Sequence, residues 1–147
     1  MNYSSGLMVI TFAASCLMAG CSPAAIPPAV DVGKVCYIES VPPASFDTGQ
    51  PLPLKGWAFL PALGGPAPAV AVRFERGDGL VYQRPLLLSG ERPDVAVALH
   101  VGDTHVGAFE QSIDLTRIVS GRYVASVVQF VDGHTYTCAT SFVLSVR

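Results

Sequence analysis

Charged residues are missing from the first 30 positions of the chain and are scarce in the rest. The nine basic and eleven acidic side chains all lie beyond that point and make up only 14% of the 147 residues. The net charge of −2 offers no basic surface that would neutralise phosphates, so we expect no nucleic-acid partner. Because 50% of the residues are apolar, the chain is too hydrophobic for general disorder.

A hydrophobic run long enough to span a bilayer is also missing. The longest stretch of small and apolar residues, 6–19, has about 14 residues, whereas a transmembrane helix needs roughly 20. A stretch of this length instead matches the apolar region of a secretory signal, which is removed during export. Its removal leaves about 127 residues, enough for one domain with one hydrophobic core.

The sequence motifs of common enzyme classes are absent as well. The chain has no G-x-S-x-G elbow, no H-E-x-x-H helix, no Walker loop and no dinucleotide fingerprint. The eleven carboxylates are scattered, so their spacing identifies no catalytic pair. We therefore expect a protein that is not an enzyme, with no catalytic residues and no cofactor.

Metal-binding patterns are equally scarce. The chain has no Cys-x-x-Cys pair, and His100, Asp103 and His105 form the only close cluster of ligand types. A solvated loop accounts for that cluster, so we predict no metal site. The tripeptide at residues 76–78, Arg-Gly-Asp, resembles integrin-binding loops, but the Gly-Asp-Gly sequence that overlaps it is explained by turn formation alone.

The apolar run ends in Leu-Met-Ala-Gly-Cys at residues 17–21. This motif resembles the lipobox of bacterial lipoproteins, in which the cysteine is acylated and becomes the first residue after cleavage. The resemblance implies a signal peptide over residues 1–20, a lipid attached to Cys21, and membrane anchoring through that lipid. The alternative is an ordinary secretory signal cut near Ala19 or Ala25, with Cys21 incidental.

The residue after Cys21 bears on the location. It is Ser22, not the Asp that resembles an inner-membrane retention signal. The expected location is therefore the bacterial cell envelope, with the protein anchored in the outer membrane and facing the periplasm. Residues 21–32 contain three prolines, which lack the N–H donor that helices and central strands need. We interpret this stretch as an extended tether between the lipid and a domain at residues 33–147.

The domain sequence predicts short β-strands and little helix. Apolar residues recur with a period of two in short runs that Gly, Pro and Asp interrupt. Residues 94–99 fit either a short helical turn or a strand. Seven or eight strands in about 115 residues indicate an all-β, antiparallel β-sandwich, and a five-stranded barrel is the main competitor. The runs that predict strands are residues 34–40, 52–60, 69–75, 80–83, 86–88, 109–114, 123–131 and 135–146.

Three features resemble an immunoglobulin-like sandwich. Residues 115–123 look like the corner before a penultimate strand, where the hydroxyl of Tyr123 would bond to the upstream backbone. Asp132-Gly133 is a hairpin signal between the last two strands. Trp57, the single tryptophan, is expected to be largely buried in the core. The order of these features is similar to small immunoglobulin-like modules of bacterial surface proteins, which are mostly non-catalytic.

The chain has four cysteines. Cys16 would leave with the signal peptide and Cys21 would carry the lipid, so Cys36 and Cys138 remain. An exported domain meets an oxidising compartment, and we therefore predict a disulfide between these two residues. It would close a loop of about 100 residues and stabilise the domain by roughly 4–5 kcal/mol in the chain-entropy model. The alternative is a pair of buried thiols.

Two further segments suggest contacts. Arg92 and Asp94 flank Pro93, and we expect them to pair or to cap a short turn as structural bracing. Residues 59–66 form an apolar run that enters a Gly- and Pro-rich loop, which is either an exposed partner site or a cover over one end of the sandwich.

These observations favour a lipid-anchored envelope protein with a non-catalytic β-sandwich that binds another protein or a polysaccharide. One alternative is a structural brace of an envelope or secretion complex. Another is a small envelope hydrolase or an inhibitor of one. The sequence identifies no ligand-binding residues.

Overall fold

The computed structural model describes residues 29–101 and 105–147. The predicted signal peptide, Cys21 and most of the predicted tether lie outside the described residues. Within them, nine strands, one α-helix and one 3₁₀ turn form a two-sheet structure. The elements are β1 (Val30–Asp31), β2 (Cys36–Ile38), β3 (Pro51–Ala58), the 3₁₀ turn (Pro61–Leu63), β4 (Ala69–Arg76), β5 (Val81–Leu86), β6 (Leu88–Glu91), α1 (Pro93–Ala98), β7 (Gly107–Asp114), β8 (Gly121–Val131) and β9 (His134–Val146).

The strands confirm the prediction of an all-β sandwich. One sheet has five strands in the order β1-β9-β8-β4-β5, and the other has four in the order β2-β3-β7-β6. The described residues form nine strands, not the seven or eight predicted. Strands β2 to β9 overlap the eight predicted runs, although the run at residues 86–88 shares only Leu88 with β6 and only Leu86 with β5. The additional strand, β1, lies in the stretch predicted as tether and pairs with β9 in parallel, while the other pairings are antiparallel. Two residues are too few to show a periodic pattern, which explains why the sequence did not reveal β1.

The core lies between the two sheets, because each strand turns alternate side chains inward. Strand β3 shows this alternation most regularly, with residues 52, 54, 56 and 58 buried and the residues between them exposed or partly buried. Strands β4 and β8 alternate less strictly, and their residues Val72, Phe74 and Val127 form the opposite layer of the core. The largest fully buried apolar side chains of this core are Tyr123, Phe74, Phe109, Leu52, Leu54, Leu115, Leu144, Val72 and Val127.

The inner surface of β3 includes one position where only glycine fits. A Cβ atom on Gly56 would lie 2.1 Å from the carbonyl oxygen of Tyr37 and 2.5 Å from Cζ of Phe109. The ring of Phe109 occupies the space that a side chain would need. Gly56 therefore lets β2 and β7 approach β3 from both sides.

Tyr123 forms the predicted corner. Its side chain is fully buried, and its hydroxyl donates a 2.8 Å hydrogen bond to the carbonyl oxygen of Val119. The ring of Tyr82 packs edge-to-face against it at 5.8 Å, and the hydroxyl of Tyr82 accepts a bond from the Val119 N–H. Burial raises the pKa of the Tyr123 hydroxyl above its ordinary value. The predicted turn is also confirmed, since Asp132 and Gly133 both have positive φ between β8 and β9.

The expectation that Trp57 is a core residue is wrong. Trp57 is only partly buried and lies on the outer face of the four-stranded sheet. The reason is the strand alternation: Leu54 and Ala58 face the core at even-numbered positions, so odd-numbered Trp57 faces outward. Its indole packs instead against a second, smaller apolar cluster outside the main core.

Candidate binding groove

A disulfide joins an edge strand of the four-stranded sheet to the five-stranded sheet. Cys36 on β2 and Cys138 on β9 are bonded, with their Cα atoms 6.0 Å apart, as the sequence predicted. Both side chains are buried at this junction. Strand β2 is the outermost strand of its sheet, so the bond fastens that edge to the five-stranded sheet.

Beside the disulfide lies an open groove made of two hollows. The larger one has a volume of about 620 Å³ and is bordered by Tyr37, Trp57 and, on the opposite side, residues 139–141 of β9. The smaller one has a volume of about 380 Å³ and an apolar lining that includes Phe59. Leu99 borders both hollows, and we call the two hollows together the aromatic groove.

Tyr37 and Trp57 form the aromatic wall of this groove. They are directly opposite each other in the register of β2 and β3, which places both side chains on the outer face. The side chain of Tyr37 is 48% exposed. Two aromatic side chains beside an open hollow present apolar area together with polar atoms, which is a common composition of binding sites.

Helix α1 supports the floor of the groove. Val95 and Ala96 are buried against Phe59 and Val106, and Leu99, just after the helix, packs on the same cluster. Pro93 occupies the first turn, where its missing N–H is not needed. This short helix holds Leu99 at the meeting point of the two hollows.

An ion-pair network fixes the start of the helix. The guanidinium of Arg92 donates two hydrogen bonds to the Asp94 carboxylate, at 2.9 and 2.7 Å, and a third to Glu39 after β2. The predicted pairing of Arg92 with Asp94 is therefore confirmed. The bidentate contact holds the pKa of Asp94 at about 2, below its ordinary value. Because Glu39 belongs to the segment after β2, the network ties the helix to that side of the groove.

The apolar loop after β3 is buried at its base and exposed at its tip. Phe59 and Leu60 are buried, whereas Leu63 at the tip is 48% exposed. Gln129, which is fully buried, holds the base of this loop. Its amide donates to the Phe59 carbonyl oxygen at 3.0 Å, and its oxygen accepts from the Ala67 N–H at 3.1 Å. The base of the loop is thus packed into the protein, while Pro61 borders the smaller hollow.

The remaining candidates from the sequence lie elsewhere. In the Arg-Gly-Asp turn, Arg76 binds the Asp78 carboxylate twice, at 2.8 and 2.7 Å, and donates to the Ser120 carbonyl oxygen. This pairing lowers the pKa of Asp78 to about 2. His105 contacts Glu91 at 2.8 Å. Asp103 lies outside the described residues, among which no group of three His, Cys, Asp or Glu side chains could hold a metal ion.

Comparison with other proteins adds no relatives to this description. The chain matches no protein-family model, no curated protein and no solved structure. In the part of the chain that the structure describes, no helix is long and apolar enough to cross a membrane. The described residues define a disulfide-bonded β-sandwich with an open aromatic groove on one side.

The sequence did not indicate Tyr37, Leu99 or the β9 residues of the groove. These side chains come from distant parts of the chain and carry no shared motif. The register of β2 against β3, which places Tyr37 opposite Trp57, depends on tertiary pairing. For Trp57 the sequence did contain a signal of its outward position. Leu52 and Leu54 occupy even-numbered positions of a predicted strand, and Trp57 occupies an odd-numbered one.

Proposed function

We propose that this chain is a lipid-anchored cell-envelope protein whose sandwich is a non-catalytic binding module. Cys21 carries the lipid in this proposal, and the outer membrane, facing the periplasm, is the location. The domain binds a protein or polysaccharide partner of the envelope through the aromatic groove. The observation that carries the binding role is the pair of outward-facing aromatics, Tyr37 and Trp57, beside an open hollow of about 620 Å³.

We further infer that the sandwich is of the immunoglobulin-like kind. The buried Tyr123 with its bond to Val119 and the tight hairpin between β8 and β9 support this inference. In such sandwiches, loops and strand edges serve binding while the core only holds the scaffold. A groove at the disulfide-bonded side of the sandwich fits that division.

Crosslinking in living cells tests the binding role. A photoreactive amino acid replaces Tyr37 in one strain and Val81 in a second. Val81 is 45% exposed on β5, at the far edge of the other sheet, and therefore matches Tyr37 in exposure. We expect a defined crosslinked product at position 37, identified by mass spectrometry, and none of the same mass at position 81. Equal products at both positions, or none at position 37, would contradict the proposal.

The anchor is tested separately. We expect the Cys21→Ala variant to take up no labelled palmitate and to stay unanchored or unprocessed, whereas the Cys16→Ala variant takes up label normally. Undiminished labelling of Cys21→Ala would show that the lipobox interpretation is wrong. That result would leave the binding role of the groove untouched.

A further inference from the structure

We propose that the open edge of β9 takes up an extended segment of a partner polypeptide as an additional strand, with partner side chains held by the aromatic groove. This inference rests on the proposed binding function and specifies the class of its partner. The segment would lie beside residues 138–144 of β9, next to the larger hollow. The partner contributes backbone hydrogen bonds, and the wall formed by Tyr37 and Trp57 contacts its side chains.

The edge of β9 is paired at both ends and open between them. At one end, the Val32 N–H donates to the Thr137 carbonyl oxygen at 3.1 Å, and at the other the Phe46 N–H donates to the Ser145 carbonyl oxygen at 2.8 Å. Strand β1 ends at Asp31, and Gly33, with φ of 74°, follows as the chain leaves for the other sheet. Among the described residues, none forms a strand beside β9 between these two contacts.

Backbone polar groups line the open stretch. Along a strand, alternate residues direct their N–H and C=O groups to the same side. Thr137 and Ser145 direct theirs away from β8, so Ala139 and Val143 do the same. Neither has a backbone partner on that side among the described residues. Unpaired donors and acceptors at strand spacing form a template for another strand.

A β-bulge shapes the same stretch. The β8–β9 register shifts between Val124 and Ser126, so residues 140–142 lie opposite Ala125 alone. The hydroxyl of Thr140 completes the pairing there: it donates to the Ala125 carbonyl oxygen at 2.7 Å and accepts from the Phe142 N–H at 3.2 Å. These two bonds use none of the backbone groups of Ala139 or Val143.

The length and chemistry of the edge select the occupant. About seven residues span roughly 23 Å of strand, the length of one extended segment. A stable complex of two folded copies buries about 1,600 Å², and an edge of about seven residues is short for a contact of that size. Strand pairing also needs alternating N–H donors and C=O acceptors, which a polypeptide backbone has and a polysaccharide lacks.

The test uses the exported full-length protein in detergent, and the probe is a displayed library of random heptapeptides. Selected peptides are measured against wild type, Ala139→Pro and Val81→Pro. Proline at position 139 removes the N–H on the open side of β9, whereas Val81 lies on β5, at the far edge of the five-stranded sheet. We expect about tenfold weaker binding for Ala139→Pro, as loss of one hydrogen bond implies, and near-normal binding for Val81→Pro.

Hydrogen exchange on the wild-type protein provides a measurement that does not depend on the folding of a variant. Bound peptide should slow exchange at the amides of Ala139 and Val143, and leave the amide of Gln83 on β5 unchanged. Unchanged exchange at both β9 amides, or equal affinity of Ala139→Pro and wild type, would overturn the inference.

Two further outcomes separate this inference from the proposed function. Binding of peptidoglycan glycan strands without any peptide would overturn strand addition but keep the binding role of the groove. Concentration-dependent dimerisation in sedimentation, abolished by Ala139→Pro, would instead identify a second copy as the occupant and also overturn the inference. Absence of peptide and glycan binding, together with no crosslink at position 37, would contradict both proposals.

Discussion

Two residues of β3 distinguish the core of the sandwich from its outer surface. Trp57 is partly buried on an outer face, whereas Leu54, three residues earlier on the same strand, is 1% exposed in the core. Truncation of a buried leucine to alanine costs about 2–5 kcal/mol, and a large side chain that is only partly buried costs less than its size suggests. We therefore expect Leu54→Ala to lower the melting temperature more than Trp57→Ala. The reverse order in thermal unfolding would show that Trp57 is a core residue after all.

Tyr123 is the residue whose ionisation should affect stability. Burial raises its pKa in the folded protein, so the folded state keeps the phenolic proton at pH values where the unfolded chain loses it. The folded state then binds more protons, and the free energy of unfolding falls as the pH rises through about 10, the ordinary pKa of tyrosine. Below that pH the hydroxyl is neutral in both states, and its contribution to the free energy of unfolding is fully present.

The Tyr123→Phe variant isolates this effect. It should lose about 0.5–1.5 kcal/mol near neutral pH, because the hydrogen bond to the Val119 carbonyl oxygen is lost. Its stability should also fall less steeply than that of wild type above pH 10, as measured by denaturant unfolding across pH. Parallel pH profiles for the two proteins would contradict the assignment to Tyr123.

Gly56 allows β2 and β7 to approach β3 closely, and Gly77 provides a matched control for its substitution. Gly56→Ala places a methyl group within 2.5 Å of Phe109 Cζ, and forced overpacking costs typically 1–3 kcal/mol. Gly77, in the β4–β5 turn, has nothing within 4 Å of an added Cβ. Gly77→Ala should therefore be nearly neutral, while Gly56→Ala lowers the denaturation midpoint. Equal midpoints would mean that β2 and β7 do not approach β3 this closely.

The individual strands were predictable because their signals are local. Alternation along residues 69–75, the Asp132-Gly133 turn and the corner at Tyr123 need only neighbouring residues to be recognised. Pro93 before a short apolar segment was less decisive, because six residues fit a helical turn or a strand. The groove was not predictable, since Tyr37, Leu99 and β9 meet only through the strand pairing and the packing of α1.

The disulfide acts on the molecule as a whole. Cys36 and Cys138 are 102 residues apart, so their bond removes much of the freedom of the unfolded chain, roughly 4–5 kcal/mol in the chain-entropy model. Reduction should lower the melting temperature and leave the far-ultraviolet circular dichroism at room temperature unchanged. Thiol titration of the unreduced, denatured protein should detect neither Cys36 nor Cys138. Two reactive thiols at these positions would contradict the bond.

The reduced protein also tests how the groove is held. The bond joins β2, which carries Tyr37, to β9, which forms the opposite border of the larger hollow. Reduction should therefore weaken partner binding at temperatures where the sandwich is still folded. Binding that survives reduction unchanged would show that packing alone keeps the two borders in place.

The central claim is that the partner occupies the aromatic groove, and the fluorescence of Trp57 measures this directly. Trp57 is the only tryptophan in the chain, so its emission reports from one wall of the groove. Titration with the partner recovered by crosslinking, or with a tryptophan-free segment of it, should shift the emission to shorter wavelength and saturate at the affinity found by calorimetry. Binding in the calorimeter with no change in Trp57 emission would place the partner elsewhere and contradict the claim.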